Sequence, residues 1–260
     1  MARAMECCAP TFTRLRRGGK QTAVTTPNCR SDILIPVGPG VTSDGEADLA
    51  PGARVGGRYQ VEAALGRGGM GAVYRATDTV EARPVALKLL HQRVFAEQRA
   101  LRTKHEFRAM VQLRHPRMVE VQDYGVLSAG TPFFVMQLLE GRDLQGAGQL
   151  AMPLVYQVVA AVADALGFMH ARGYVHRDVK PANVHLSSGA PPEVKLLDFG
   201  TAELTGLGAG TIAGTLRYLA PESHYAGAAD PRVDLYALGV LAYEITTGSC
   251  PFTGHGAAEL

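Results

Sequence analysis

In the first half of the chain, beginning near Arg58, apolar and polar positions alternate in some short stretches, and other short stretches are almost continuously apolar. Alternation of this kind, interrupted by glycine-containing turns, is typical of β-strands in an antiparallel meander. A helix is predicted over residues 92–114, where Phe107, Met110 and Val111 are spaced for one face. The strands are predicted at residues 59–65, 72–77, 85–90, 119–124 and 133–138.

After Gly141 the apolar spacing changes to that of helices. Residues 154–169 place leucine, valine and methionine on one helical face, which predicts a strong amphipathic helix. Residues 233–245 are apolar nearly all round, which predicts a helix buried on every side. Short strands are predicted at residues 184–186 and 194–197, and a long loop runs from Asp198 to Glu222.

Residues 1–57 lack this periodicity and are predicted to form a disordered tail. Their first thirty residues hold six basic side chains against one acidic one, and the following stretch turns acidic. An organelle transit peptide is the alternative interpretation of the arginine-rich start. We expect order to begin at Arg58, so that one domain spans residues 58–260.

The overall composition excludes several classes of protein. The net charge of +2 is too small to argue for nucleic acid or an anionic membrane as the main partner. The four cysteines form no C-x-x-C pair, so we expect a reducing, cytoplasmic location rather than a disulfide scaffold. The most apolar stretch, residues 154–169, carries Gln157 and Asp164 and is better explained as a packed helix than as a membrane span.

A glycine-rich turn follows the first predicted strand, with Gly66, Gly68 and Gly71 in G-x-G-x-x-G spacing. Glycine lets the backbone approach phosphate oxygens, to which amide N–H groups can donate. The motif also occurs in dinucleotide-binding folds, where a helix follows it. Here a strand containing Val73 follows, which argues against that class.

Lys88 lies in the apolar strand over residues 85–90, where a buried amine needs an anionic partner. Nucleotide phosphates and a helical carboxylate are candidates for that role. Glu106, nine residues before His115, is the candidate carboxylate. An ordinary surface lysine and an ordinary helix-surface acid are the alternative interpretations.

The densest group of candidate functional residues extends from His176 to Asn183. Asp178 can accept the proton of an attacking hydroxyl, Lys180 can neutralise a phosphate, and Asn183 can bind a metal ion. Asp198, in Asp-Phe-Gly 20 residues after Asp178, is a second metal ligand. Phosphoryl transfer requires positioning and charge neutralisation, which this set provides.

These motifs occur in one order and at one spacing, ending at Ala-Pro-Glu over residues 220–222. From Tyr59 to about Phe252 the chain resembles the protein-kinase superfamily, and most closely the bacterial Ser/Thr group. The resemblance implies an α+β, two-lobed fold. The N-terminal lobe of residues 58–139 would be a small antiparallel sheet with one helix, and the C-terminal lobe of residues 140–260 would be mainly helical.

The resemblance also implies roles for residues around the nucleotide, with ATP and Mg²⁺ as cofactors. The three glycines of the turn would cover the phosphates, and Lys88 would hold the α- and β-phosphates and pair with Glu106. Asp178 would be the catalytic base, Asn183 and Asp198 the Mg²⁺ ligands, and Asp234 an anchor below them. The base and ribose would meet Val73, Ala86, Met136, Gln137, Leu139, Asp143 and His185.

Lys180 and the segment before Ala-Pro-Glu resemble Ser/Thr kinases rather than Tyr kinases, which implies protein Ser/Thr hydroxyls as acceptors. Thr215 would bond to Asp178 and Lys180. Arg177 can bind a phosphorylated activation loop, so Thr211 and, as a weaker candidate, Thr205 are predicted phosphorylation sites. Both threonines can also be ordinary polar loop residues.

Three departures from the family pattern stand out. Gln137 replaces a common glutamate, with little effect expected, and His185 replaces a side chain that is usually aliphatic. The C-terminal lobe is expected to be truncated after residues 233–245. We therefore expect that helix to be partly bare and Glu222 to be a buried carboxylate without its partner.

The sequence thus favours an active Ser/Thr protein kinase. The alternative is a catalytically inactive module that binds nucleotide or acts as a scaffold. A small-molecule phosphotransferase is disfavoured because residues 214–222 resemble the segment that serves protein substrates.

Overall fold

The computed structural model describes residues 49–68, 71–90, 113–127, 130–198, 203–204, 216–224 and 230–252. The predicted helix over residues 92–114 lies outside this part of the chain, apart from residues 113 and 114, which are not helical. The predicted roles of four residues also fall outside the described residues: Glu106, Thr205, Thr211 and Thr215.

The N-terminal half forms a six-stranded antiparallel sheet in the order β1-β2-β3-β4-β6-β5. The five predicted strands are all present, with shifted ends. The largest shift is in β2, which continues to Gly68 because Gly68 pairs with Gly71 at the tip of the β2–β3 hairpin. The strands are β1 (Arg54–Val55), β2 (Tyr59–Gly68), β3 (Gly71–Asp78), β4 (Arg83–Leu90), β5 (Val121–Val126) and β6 (Pro132–Gln137).

The described structure includes residues 49–57, which the sequence placed in the disordered tail, and these residues pack on this sheet. Strand β1 pairs with the start of β2, and Leu49 and Val55 are buried. Leu49 N–H also donates to the Tyr74 hydroxyl at 3.3 Å. Two isolated apolar residues among glycine and proline show no periodicity, so backbone pairing rather than pattern places this segment.

A partly buried ion pair joins the residue before β2 to the end of β3. Arg58 donates to both carboxylate oxygens of Asp78, from Nε at 2.8 Å and from Nη2 at 2.6 Å. Asp78 is 1% exposed and also accepts the N–H groups of Val80 and Glu81. The Arg58 guanidinium is the main cause that lowers the pKa of Asp78, with these two backbone donors adding to it.

The C-terminal half contains two α-helices among the described residues, α1 (Met152–His170) and α2 (Arg232–Thr247). A three-stranded sheet in the order β10-β9-β7 and a two-stranded pair β11-β8 lie in this half. The strands are β7 (Gly141–Asp143), β8 (Tyr174–Val175), β9 (Val184–Ser187), β10 (Val194–Leu196) and β11 (Glu203–Leu204). Short 3-10 helices occupy Pro181–Asn183, Leu216–Tyr218 and Pro221–His224.

Helix α1 is the predicted amphipathic helix, and its apolar face lies in the larger core. Val158, Val162, Leu166 and Met169 are completely buried there. By length and composition α1 could cross a membrane, and it is the one such helix among the described residues. Its apolar face lies in the protein core, as expected for a packed helix.

The apolar pattern of residues 233–245 predicted burial on every side, whereas the expected truncation of the lobe predicted a partly bare helix. The structure of helix α2 agrees with the second expectation. Asp234, Leu241 and Ile245 are buried, whereas Leu235 and Tyr243 are 54% and 49% exposed. The helix is therefore amphipathic in the described structure, with one face in the core that it shares with α1. An apolar composition all round does not by itself say which neighbours cover each face.

Candidate active site

The glycine-rich turn is the tip of the β2–β3 hairpin. Gly71 has φ +154°, and a Cβ there would lie 2.0 Å from the carbonyl oxygen of Leu89 on the neighbouring strand β4. A side chain is therefore excluded at Gly71 by backbone contact. A Cβ at Gly66 or Gly68 would meet nothing within 4 Å, so open space adjoins these two glycines. The turn thus combines one sterically required glycine with two that leave room for an adjacent group.

Lys88 lies at the centre of the sheet, paired with Val73 on β3 and Phe134 on β6. The residue is only 8% exposed, which confirms the predicted burial of its amine. Its Nζ donates a hydrogen bond to Asp198 Oδ2. A buried ammonium requires such an anion, because desolvation without a partner would be costly. The sequence did not predict this partner, and Glu106, which it did predict, lies outside the described residues.

Asp198 is held just beyond the end of strand β10. The residue has φ +57°, which is uncommon for a residue other than glycine. Leu197 N–H donates to the carbonyl oxygen of Asn183 at 2.8 Å, so the two predicted metal ligands approach through their backbones. A non-glycine residue in this conformation is characteristic of functional sites, where surrounding contacts hold the strain.

Asp178 is 4% exposed and is contacted by two other predicted site residues. Lys180 Nζ lies 2.7 Å from Asp178 Oδ2. The amide nitrogen of Asn183 donates to the backbone oxygen of Asp178 at 2.7 Å and to Asp178 Oδ2 at 2.9 Å. The structure therefore brings Asp178, Lys180 and Asn183 into one hydrogen-bonded group.

Asp234, at the start of α2, binds the backbone of the loop that contains Asp178, as the resemblance implies. Its fully buried carboxylate accepts the N–H groups of His176 at 2.8 Å and Arg177 at 2.7 Å. Arg177 has φ +67°, so these bonds hold the loop in a strained conformation.

His170, in the last turn of α1, is a further partner that sequence reasoning missed. Its Nε2 lies 2.7 Å from Asp234 Oδ2. A histidine on a helix 64 residues away from its partner gives no local pattern, so only the fold reveals this contact.

Six of the seven residues predicted around the base and ribose lie on strands of the two larger sheets, and Leu139 lies between β6 and β7. Ala86 on β4 pairs with Met136 on β6, and Val73 on β3 pairs with Lys88. The N–H of Gln137 donates to Glu120 O at 2.9 Å, so this N–H is occupied within the protein. Leu139 follows β6 and is half-buried. These contacts are all within the protein, so the nucleotide contacts of these residues stay predictions.

Asp143 and His185 pair directly across strands β7 and β9. His185 is 8% exposed, and a Cβ at Gly141 would approach its Cε1 to 2.9 Å, so the imidazole packs against a glycine backbone. Burial lowers the pKa of His185, and nearby Lys195 adds to the effect while Asp143 opposes it. The imidazole is therefore neutral near pH 7.

The donor set suits Mg²⁺. This ion prefers oxygen ligands and is commonly held by one or two carboxylates together with substrate phosphates. Asp198 offers carboxylate oxygens, and the amide oxygen of Asn183 is the suitable atom because its nitrogen donates to Asp178. Among the described residues no group of three or more His, Cys, Asp or Glu side chains could form a metal cage by itself.

Glu222, in the segment before α2, is not buried as the sequence predicted. Its side chain is exposed, so the predicted penalty for a buried, unpaired carboxylate was wrong for the described structure. Ala220 is buried, and the hydroxyl of Tyr218 donates to Glu244 on α2. Burial, followed by the carboxylate of Glu244, raises the pKa of Tyr218.

A six-stranded antiparallel sheet joined to a helical lobe, with these charged residues between them, defines the protein-kinase class. The protein kinase domain family matches residues 59–260, and the chain belongs to that family.

Several bacterial relatives are similar over most of the chain. Serine/threonine-protein kinase PknL of Mycobacterium tuberculosis is 39% identical over 225 residues, covering 83% of this chain and 56% of the relative. Serine/threonine-protein kinase pkn3 of Myxococcus xanthus is 35% identical, covering 82% and 42%. DNA damage-responsive serine/threonine-protein kinase RqkA of Deinococcus radiodurans is 40% identical, covering 79% and 32%. The chain thus spans from 32% to 56% of the length of these relatives.

Proposed function

We propose that this chain transfers the γ-phosphate of ATP to Ser and Thr hydroxyls of proteins. The observation that carries the proposal is the pairing of its two key carboxylates, Asp178 with Lys180 and Asn183, and Asp198 with Lys88. Phosphoryl transfer depends mainly on positioning and on neutralising developing charge, and these pairs place both signs of charge together.

Each side chain has a definite task in this proposal. Asp178 accepts the hydrogen of the acceptor hydroxyl and orients its oxygen for attack. Lys180, 2.7 Å from Asp178, offers positive charge where phosphate oxygens gain negative charge. Lys88 binds the non-transferred phosphates from its position in the sheet. Mg²⁺, when bound by Asn183 and Asp198, neutralises phosphate charge and favours departure of the leaving group.

The acceptor class follows from Lys180 and from the names of the relatives, which are serine/threonine-protein kinases. Autophosphorylation is part of the proposal, with Thr211 as the main acceptor and Thr205 as a weaker one. Both side chains are ordinary hydroxyl acceptors in the segment between Asp198 and Glu222. A cytoplasmic location is proposed along with this activity.

Product analysis tests the proposal. The purified chain is incubated with Mg²⁺ and γ-labelled ATP, alone and with a generic protein substrate, and the labelled amino acids are identified. We expect phosphoserine and phosphothreonine without phosphotyrosine, and a modified peptide containing Thr211. The variant Thr211→Ala should retain transfer to the added substrate at a reduced rate. Phosphotyrosine as the main product, or nucleotide binding without any transfer, would contradict the proposal.

A further inference from the structure

The loop between the predicted helix and β5 contains a histidine that the site described above does not use. The imidazole of His115 contacts three groups. Its Nδ1 accepts the N–H of Arg117 at 3.2 Å, and its Nε2 lies 3.5 Å from Asp164 Oδ2 on α1. Its ring lies against the ring of Phe168, also on α1, with the centroids 4.8 Å apart.

These contacts fix the loop to α1. The His115 side chain is only 14% exposed, and because Nδ1 accepts a hydrogen bond, Nε2 carries the hydrogen that faces Asp164. The guanidinium of Arg172 lies 3.5 Å from the centroid of the Phe168 ring. The Phe168 ring is thus contacted by Arg172, just after the end of α1, and by the imidazole of His115.

The same loop is bonded to the strand that leads to Asp198. Leu196 N–H donates to Arg117 O at 2.8 Å, and Val119 N–H donates to Leu196 O at 3.0 Å. These bonds form a parallel bridge between Met118 and Leu196, two residues before Asp198. The loop therefore holds the backbone before Asp198 on one side, while Asn183 holds Leu197 on the other.

We propose that His115 is a positioning residue for the metal ligand Asp198, acting through the paired backbone of Arg117–Val119 and Leu196. The imidazole sets the position of the loop on α1, and the loop sets the end of β10 from which Asp198 projects. This inference rests on the proposed function, because it assumes that Asp198 binds Mg²⁺ together with the nucleotide. Residues that orient a ligand indirectly typically change metal affinity without contacting the metal.

Substitution of His115 by asparagine separates two roles of the side chain. The asparagine oxygen can still accept the N–H of Arg117, but it cannot pack against Phe168 or reach Asp164. We expect His115→Asn to raise the Mg²⁺ concentration for half-maximal binding of a fluorescent ATP analogue by about five- to tenfold. Metal-independent binding of the analogue should be unchanged. Phe168→Leu should have a similar effect, and the double variant should be less than additive.

The matched control is Tyr156→Ala, which removes an aromatic ring that is 69% exposed on the same helix. Thermal unfolding of each variant shows whether it is folded. If His115→Asn does not fold, Asp164→Asn replaces it, because the Asp164 side chain is 63% exposed. Asp164→Asn should raise the half-saturating Mg²⁺ concentration about twofold.

The outcomes distinguish this inference from the proposed function. If the folded His115→Asn variant shows the same Mg²⁺-dependent nucleotide binding as the wild type, the role of His115 is overturned and the proposed function stands. The same conclusion holds for Asp164→Asn where that variant is used instead. If the wild type itself shows no Mg²⁺-dependent nucleotide binding, the proposed function fails, and the inference fails with it. A shift in half-saturating Mg²⁺ that is confined to the variants of His115, Phe168 and Asp164, with Tyr156→Ala unchanged, supports both.

Discussion

Among single residues, Lys88 illustrates how burial and charge together create a reactive position. A lysine that is 8% exposed in the middle of a sheet requires an anion, and Asp198 provides it. Replacement of either partner removes this ion pair from a largely buried site. The pair is therefore sensitive to substitution in a way that surface ion pairs are not.

We predict that Lys88→Met lowers phosphoryl transfer by at least about a hundredfold, because a preorganised positive charge at the phosphates is lost. The measurement is the initial rate of label transfer from ATP under saturating Mg²⁺. Arg83→Met, on the same strand but in an exposed pair with Glu81, is the matched control and should keep its activity. A Lys88→Met variant that retains wild-type turnover would refute the role given to Lys88.

His185 gives a prediction for pH. Because burial lowers its pKa, the unfolded chain binds more protons below the ordinary histidine value of about 6.5. This residue therefore contributes stability that is fully present above that value and is lost as the pH falls toward the lowered pKa. Urea unfolding between pH 7.5 and 5 should show a steeper loss for the wild type than for His185→Leu. Parallel curves would exclude a buried neutral imidazole at this position.

At the level of elements, the β2–β3 hairpin carries the most demanding backbone position. We predict that Gly71→Ala destabilises the fold by about 1–3 kcal/mol, because its Cβ would meet the backbone of Leu89. Gly66→Ala should change the free energy of unfolding by less than about 1 kcal/mol, since nothing lies near its Cβ. Chemical unfolding of the two variants measures this difference, and equal losses would contradict the described hairpin.

Elements with clear periodicity could be predicted from the sequence. Helix α1 was found because its apolar residues repeat with the period of a helix. Strand β4 was found because residues 85–90 form a short, nearly continuous apolar run, and both elements lie in cores. Strand β1 was missed because a two-residue strand next to glycine and proline has no period. The apolar pattern of α2 did not show which of its sides is exposed, because composition does not reveal which neighbours cover a helix.

In the candidate site, contacts between residues close in sequence could be predicted, whereas contacts between distant residues could not. Asp178, Lys180 and Asn183 lie within six residues, so their spacing alone indicates that they act together. The contact between Lys88 and Asp198 joins residues 110 apart, and the contact between His170 and Asp234 joins residues 64 apart. Such pairings depend on how the lobes and helices pack, which local patterns cannot specify.

For the whole molecule, two buried clusters organise the described residues. One lies within the six-stranded sheet, and the other extends from Phe134 and Val121 of that sheet into α1 and α2. The second cluster therefore joins the two halves of the domain. The charged residues lie where the sheet meets the loop after α1, so the fold brings together the groups that we propose bind phosphate and catalyse transfer.

The most direct test of the central claim is transfer of labelled phosphate by the purified 260-residue chain, compared with Asp178→Asn. Asp230→Asn, an exposed carboxylate paired with Arg232 at the start of α2, is the control. Nucleotide binding is measured on the same samples. We predict labelled product from the wild type and from Asp230→Asn, none from Asp178→Asn, and similar nucleotide binding by all three. Unchanged labelling in Asp178→Asn, or nucleotide binding without transfer in the wild type, would contradict an active kinase with Asp178 as its base.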